Sequence, residues 1–232
     1  MIIKSQKDVY SFIELVNKMI NSKSKKLLKS VEANLFMKKQ KNNTHLLVLL
    51  YLNKNIETIS IAERLINNDN FDEALCLMRM ALERVAIATK ALVENISTNE
   101  IEKISGNQCI SFLKKYFDIG NMYGFYSKFA HSNAIPSLHS YIISFYNTRR
   151  RNRNLNEHDL NIYFKLELFL LREINLYTIS LLYKNYVPAE VKYHKEVKRV
   201  SSYTPEILKS AFATVFNLYN NYRVIDPNTS IS

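Results

Sequence analysis

Two pairs of polar residues, each set in an apolar stretch with helical spacing, are where this sequence could do chemistry. In the first, Arg79 and Glu83 stand four residues apart. At 100° per residue Leu75, Leu82, Ala86 and Val93 share a face, and Arg79 projects about 40° from its centre, whereas Arg84 projects to solvent. A guanidinium so placed is partly withdrawn from water, which is costly without a partner. Glu83, one turn on, is the local candidate. The pair reads either as an ion pair that sets helix register or as the floor of an anion-binding cleft. In the second pair, Tyr126-Ser127-Lys128-Phe129-Ala130-His131 puts Ser127 and His131 on one helical face, with the Tyr126 ring beside them. Serine beside histidine is the beginning of a nucleophile–base arrangement, but no G-x-S-x-G elbow accompanies it. The plainer reading is a histidine bonded to a neighbouring helix.

A third group is basic. Arg149, Arg150, Arg151 and Arg153 crowd into one stretch, and His158 follows. Charge is unevenly spread over a chain of net +11. Residues 1–42 hold ten Lys against Asp8, Glu14 and Glu32, and residues 106–157 hold seven Lys or Arg against Asp118 and Glu157. Such asymmetry suits a polyanionic partner, nucleic acid before membrane surface, although a lysine-rich solvated face would also produce it. His45, His131, His139, His158 and His194 show neither H-E-x-x-H nor H-x-x-x-H spacing, so no metal site is expected. Neither G-x-G-x-x-G nor G-x-x-x-x-G-K-[ST] occurs, and no cofactor is expected.

The first two groups also carry a resemblance. Ala74-x-x-Leu77-x-Arg79-x-x-x-Glu83 follows Ala62-Glu63-Arg64-Leu65-Ile66, and Tyr123-x-x-x-Ser127-x-x-x-His131-Ser132 comes later. Over roughly residues 44–132, and the long helix that follows, the chain resembles a broad bacterial family of all-helical proteins with an Arg-x-x-x-Glu helix and a Tyr…Ser-x-x-x-His segment. That family is similar in outline to the HEPN group of helical bundles, many of which are metal-independent RNases of toxin–antitoxin and phage-defence systems. HEPN RNases carry Arg-polar-x-x-x-His, often where a helix begins. Here Arg153-Asn154-Leu155-Asn156-Glu157-His158 has that form, and Arg151 lies within the longer permitted spacing. The resemblance implies His158 as acceptor of a 2′-hydroxyl proton, Arg153 on the scissile phosphate, and a homodimer that joins two copies.

These residues need helices to position them. Gly is found 3 times and Pro 4 times in 232 residues, too seldom for a hairpin-rich sheet protein. The fold class is therefore all-α, a bundle of about seven to eight helices in one domain. The expected elements are 6–21 and a second helix through Leu27–Phe36, separated by Ser-Lys-Ser-Lys-Lys; 45–68, capped by Thr44; 71–95, with Asp72 and Glu73 in its first turn; 99–117, broken near Gly106; 122–132; 137–147; and 157–186, apolar nearly all round and therefore central. The first two helices form a basic pair over 1–42 that reads as an appendage, and 226–232 reads as a frayed tail. Cys76 and Cys109 read as reduced core residues. Met1 is followed by Lys4, Lys7 and Asp8 rather than an apolar leader, and the longest apolar run, 46–52, is too short to span a bilayer, so a cytoplasmic location is expected. Three functions fit: an RNA-acting HEPN-like effector, a non-catalytic module that binds nucleic acid or protein, and an enzyme on a small anionic ligand held by Arg79 and His131.

Overall fold

A computed structural model describes residues 6–37, 42–117, 119, 122–124, 126–127 and 157–186. They form helices and turns, with no strand among the described residues. The helices are α1 (Gln6–Met37), α2 (Asn43–Asn67), α3 (Phe71–Glu94), α4 (Thr98–Ile101), α5 (Gly106–Leu113) and α6 (Glu157–Tyr186). Residues 122–124, 126 and 127 are also helical.

The N-terminal pair is one helix. Ile13, Asn17, Ile20, Ser24, Leu27, Leu28, Val31 and Leu35 run in phase along a single buried stripe. Asn17 and Ser24 are polar members of that stripe, so the serine-lysine segment is not a break. Most of its stripe belongs to the common core. Asn42, not Thr44, caps α2 by accepting a hydrogen bond from the His45 amide (3.1 Å). Thr44 is buried, with its hydroxyl 3.4 Å from that of Thr98. The α2–α3 turn uses Asp69 in the left-handed region (φ 59°), and α3 ends on Asn95 in the same region (φ 52°), a conformation that short polar side chains tolerate. The break near Gly106 is real: Ser105 caps α5 in a box with Gln108.

α6 lies against three long helices, and side-chain pairs fix their directions. Lys165 pairs with Glu14 (2.9 Å) near the start of α1, and Lys23, further along α1, is the charge acting on Glu173, so α1 and α6 run parallel. α2 runs antiparallel to α6: Asn161 donates to the Ile66 carbonyl (2.9 Å), Asn55 to Asn175 (3.2 Å), and His45 meets the Tyr186 hydroxyl (2.6 Å). α3 runs parallel to α6, with Phe71 against Phe164 at one end and Thr89 against Thr178 (2.7 Å) toward the other. The chain after α3 must therefore return to the end where α3 began, and Phe117, Tyr123 and Tyr126 lie on that return. Phe117 stacks edge-on against Tyr177.

The central placement expected for 157–186 holds. Leu166, Phe169, Leu170, Ile174 and Tyr177 are buried, and Leu181 is half-buried. Its neighbours are α1, α2 and α3. α6 is not apolar all round, however. Lys165, Arg172, Glu173, Asn175, Thr178 and Ser180 are all buried on it. Arg172 is held by both oxygens of Glu63 on α2 (2.7 and 3.3 Å). Glu173 is 5% exposed, and burial pushes its carboxyl up to about 7, partly offset by Lys23.

A carboxyl raised in the folded state makes its contribution at acid pH and loses it as pH rises. Between the ordinary value of 4.5 and about 7 the unfolded chain is ionised while the fold keeps Glu173 protonated. Stability should therefore fall across that window, and Glu173→Gln should flatten the fall and be more stable than wild type above pH 7, by roughly 1–3 kcal/mol. Urea unfolding at pH 5 and pH 8 checks this, and an unchanged pH dependence in the variant would refute it.

Candidate functional site

α3 carries Arg79 and Glu83 on a half-buried strip between α5 and the helical residues after it. The Arg79 Nε donates to Glu83 Oε1 at 2.9 Å, with side chains 20% and 28% exposed. The same oxygen accepts the Tyr123 hydroxyl proton at 2.9 Å. The Tyr123 ring also faces the guanidinium, 5.7 Å from its carbon to the ring centre. The Asn107 side chain lies 2.5 Å from the Tyr123 hydroxyl. Asn107 presents Oδ1 there, so Glu83 Oε1 and Asn107 Oδ1 are alternative acceptors of the one Tyr123 hydroxyl proton. Burial works against the Arg79 charge, but Glu83 and Tyr123 outweigh it and raise the guanidinium above its ordinary range.

Gly106 is required by close approach rather than by backbone angle. A Cβ there would lie 3.1 Å from Glu83 Cδ and 3.2 Å from Cγ. A side chain there would press the Glu83 carboxylate by a few tenths of an ångström against its bonds to Arg79 and Tyr123. Sequence reasoning missed Gly106 and Asn107 as parts of this cluster. The readable signal was Ser105-x-x-Gln108, a capping box that starts a helix at Gly106 and brings Asn107 in just after it.

Tyr126 belongs to a different contact. It is fully buried, and its hydroxyl donates to Glu167 on α6 (2.9 Å). Tyr123 and Tyr126, three residues apart, thus tie one short segment to α3 and to α6. The Ser127 hydroxyl is buried and makes no hydrogen bond among the described residues. Arg84 departs from expectation, because it turns inward and donates to Thr58 on α2 (2.7 Å). Val93 is exposed at the end of its stripe.

His131, Arg149, Arg150, Arg151 and Arg153 lie outside the described residues. His158 lies in the first turn of α6. Arg79 and Glu83 are therefore brought together with Tyr123, as the first motif suggested, whereas the Ser127–His131 pairing and the arginine stretch are not placed. No cluster of three or more metal-ligating side chains occurs among the described residues. Cys109 is buried, but Cys76 is exposed, on the outer side of α3. Burial raises both thiols; Asp72 and Glu73 raise Cys76 further, and Glu94 adds to Cys109. Neither has the depressed pKa of a reactive cysteine. Among the described residues no helix is long and apolar enough to cross a membrane. The chain matches no protein-family model, no curated protein and no solved structure.

Chemically, the Arg79 cluster is a brace before it is a catalyst. Glu83 Oε1 is already engaged by two donors, and the guanidinium is held by carboxylate and ring. Removing Glu83 alone strands a half-buried positive charge, so Glu83→Ala should cost more than the Arg79→Ala, Glu83→Ala double variant. The coupling in a double-mutant cycle should be about 1 kcal/mol. Additive single effects in denaturant melts would mean that the two side chains do not depend on each other.

Proposed function

We propose that this chain is an RNA-acting helical protein of HEPN-like type, with its phosphate contacts in the basic stretch from Arg149 to Arg153 and a metal-independent cleavage centre at Arg153 and His158. The observation that carries this reading is the start of α6 at Glu157, which places His158 in the first turn of a helix directly after the arginines. That is the position the Arg-polar-x-x-x-His spacing calls for in the proteins it resembles. The net charge of +11 supports a polyanionic partner. In the proposed reaction His158 accepts the proton of a ribose 2′-hydroxyl while Arg153 holds the phosphate. The 2′-oxygen bonds to phosphorus, the bond to the 5′-oxygen breaks, and that oxygen leaves with a proton. His131 is the other candidate base. A second copy of the chain would double the site.

The binding-module alternative shares the partner and differs only in turnover. The small-anion alternative gains little support, because Arg79 is already engaged by Glu83 and Tyr123.

Purified protein incubated with mixed RNA in EDTA should cleave it, and His158→Ala should abolish cleavage while leaving salt-dependent binding in place. Replacing Arg149, Arg150, Arg151 and Arg153 by Ser should lower the slope of log affinity against log salt by about one unit for each phosphate no longer held. Cleavage abolished in His131→Ala but kept in His158→Ala would move the centre to His131. Binding without cleavage by wild type would leave the module reading, and no binding to RNA would remove both.

A further inference from the structure

The outer face of α1 carries a row of lysines. Lys18, Lys25, Lys26 and Lys29 are all exposed. At 100° per residue Lys18, Lys25 and Lys29 fall within about 40° of one line, with Lys26 to one side. The row runs roughly 17 Å along the axis. None of the four forms an ion pair with a described carboxylate, even though Glu32 is exposed on the same helix. On α2 and α3 a lysine pairs with an acid one turn on. Lys54 pairs with Glu57 at 3.5 Å, and Lys90 pairs with Glu94 at 2.8 Å. On α1 the position four beyond Lys25 holds Lys29, a like-charge spacing that weakens a helix by a few tenths of a kcal/mol.

The helix that carries this face is packed against the core on its other side. Behind it Leu27, Leu28, Val31 and Leu35 are locked into the core. No aromatic residue lies between Lys18 and Lys29. Readers of single-stranded nucleic acid stack bases on aromatic side chains, whereas a row of ammonium groups along one helix face matches a regular phosphate backbone.

We infer that the outer face of α1 is a second RNA contact, one that grips the phosphate backbone of a double-helical segment without reading sequence. The inference rests on the proposal that the partner is RNA, and it adds a surface far along the sequence from Arg149 to Arg153. Recognition there is electrostatic. It releases counterions and fades with salt. Leu15 and Met19, exposed on the same side of α1, make an anionic lipid surface the competing occupant.

The test compares wild type with the K18Q/K25Q/K26Q/K29Q variant on an RNA duplex of about 20 base pairs. Glutamine keeps helix propensity close to that of lysine, so an unchanged far-ultraviolet dichroism spectrum is expected. Affinity at about 100 mM salt should fall at least roughly tenfold, the salt slope should drop by about three units, and wild type should prefer the duplex to a single strand of the same sequence. The K54Q/K90Q variant, which removes two paired lysines, should bind like wild type. If wild type binds RNA and the four-lysine variant binds it equally well with the same slope, this inference fails and the RNA reading stands. If wild type ignores RNA but binds phosphatidylserine vesicles through the same four lysines, both fail and the face is a membrane contact.

Discussion

Over residues 164–183 α6 has almost no solvent face, and the rest of the structure is arranged to answer that. An amphipathic helix can leave its polar side chains in water, but a helix covered by α1, α2 and α3 must find each of them a partner inside the protein. Lys165 is 1% exposed and reaches Glu14 on α1. Arg172 takes a two-point grip from Glu63 on α2. Asn175 accepts from Asn55, and Thr178 meets Thr89 on α3. Burial of apolar groups is non-directional and would permit many slides and rotations of packed helices. These polar pairs do not, because each is satisfied at one register only. Glu173 is the member that this arrangement answers least well, and its raised pKa is the visible cost.

The candidate site inherits its position from that frame. α3 is registered against α6 by Phe71 and Thr89, and this sets the height of Arg79 and Glu83. The returning chain is pinned twice, at Glu83 through Tyr123 and at Glu167 through Tyr126. α5 is drawn close by Gly106, where any side chain would meet the Glu83 carboxylate. Arg79, Glu83 and Tyr123 are thereby parts of one brace between helices. This gives a physical reason for Arg79, Glu83 and Tyr123 without invoking a substrate, and it directs the search for function to the basic residues that the brace does not use.

Much of this was legible in the sequence, and the exceptions share a cause. Helix α6 was readable to its ends, because a long stretch with few breakers leaves little choice of element. The Arg79–Glu83 pair followed from spacing alone. Misreadings arose where a polar residue does core work. Ser24 sits in the buried stripe of α1 and looked like an interruption. Arg84 was assigned to solvent by its angle, yet a long flexible side chain can turn back, and it bonds Thr58. Lys165, Arg172 and Glu173 were hidden in a helix read as nearly wholly apolar. Their partners are distant in sequence, Glu14 by 151 residues and Glu63 by 109, and no local pattern announces such pairs. Asn107 likewise joins the site through a hydrogen bond 16 residues away that only the fold creates.

The buried pairs on α6 are the centre of this account, and Arg172–Glu63 tests them most directly because its geometry is bidentate and its arginine is 5% exposed. Chemical denaturation of Glu63→Leu, Arg172→Met and the double variant separates the pair from its parts. A register-setting pair predicts that Glu63→Leu alone costs about 2–4 kcal/mol, because it strands a buried guanidinium, and that adding Arg172→Met restores most of that loss. If Glu63→Leu costs less than about half a kcal/mol, or the two changes simply add, the claim that these pairs hold the helices in register is wrong.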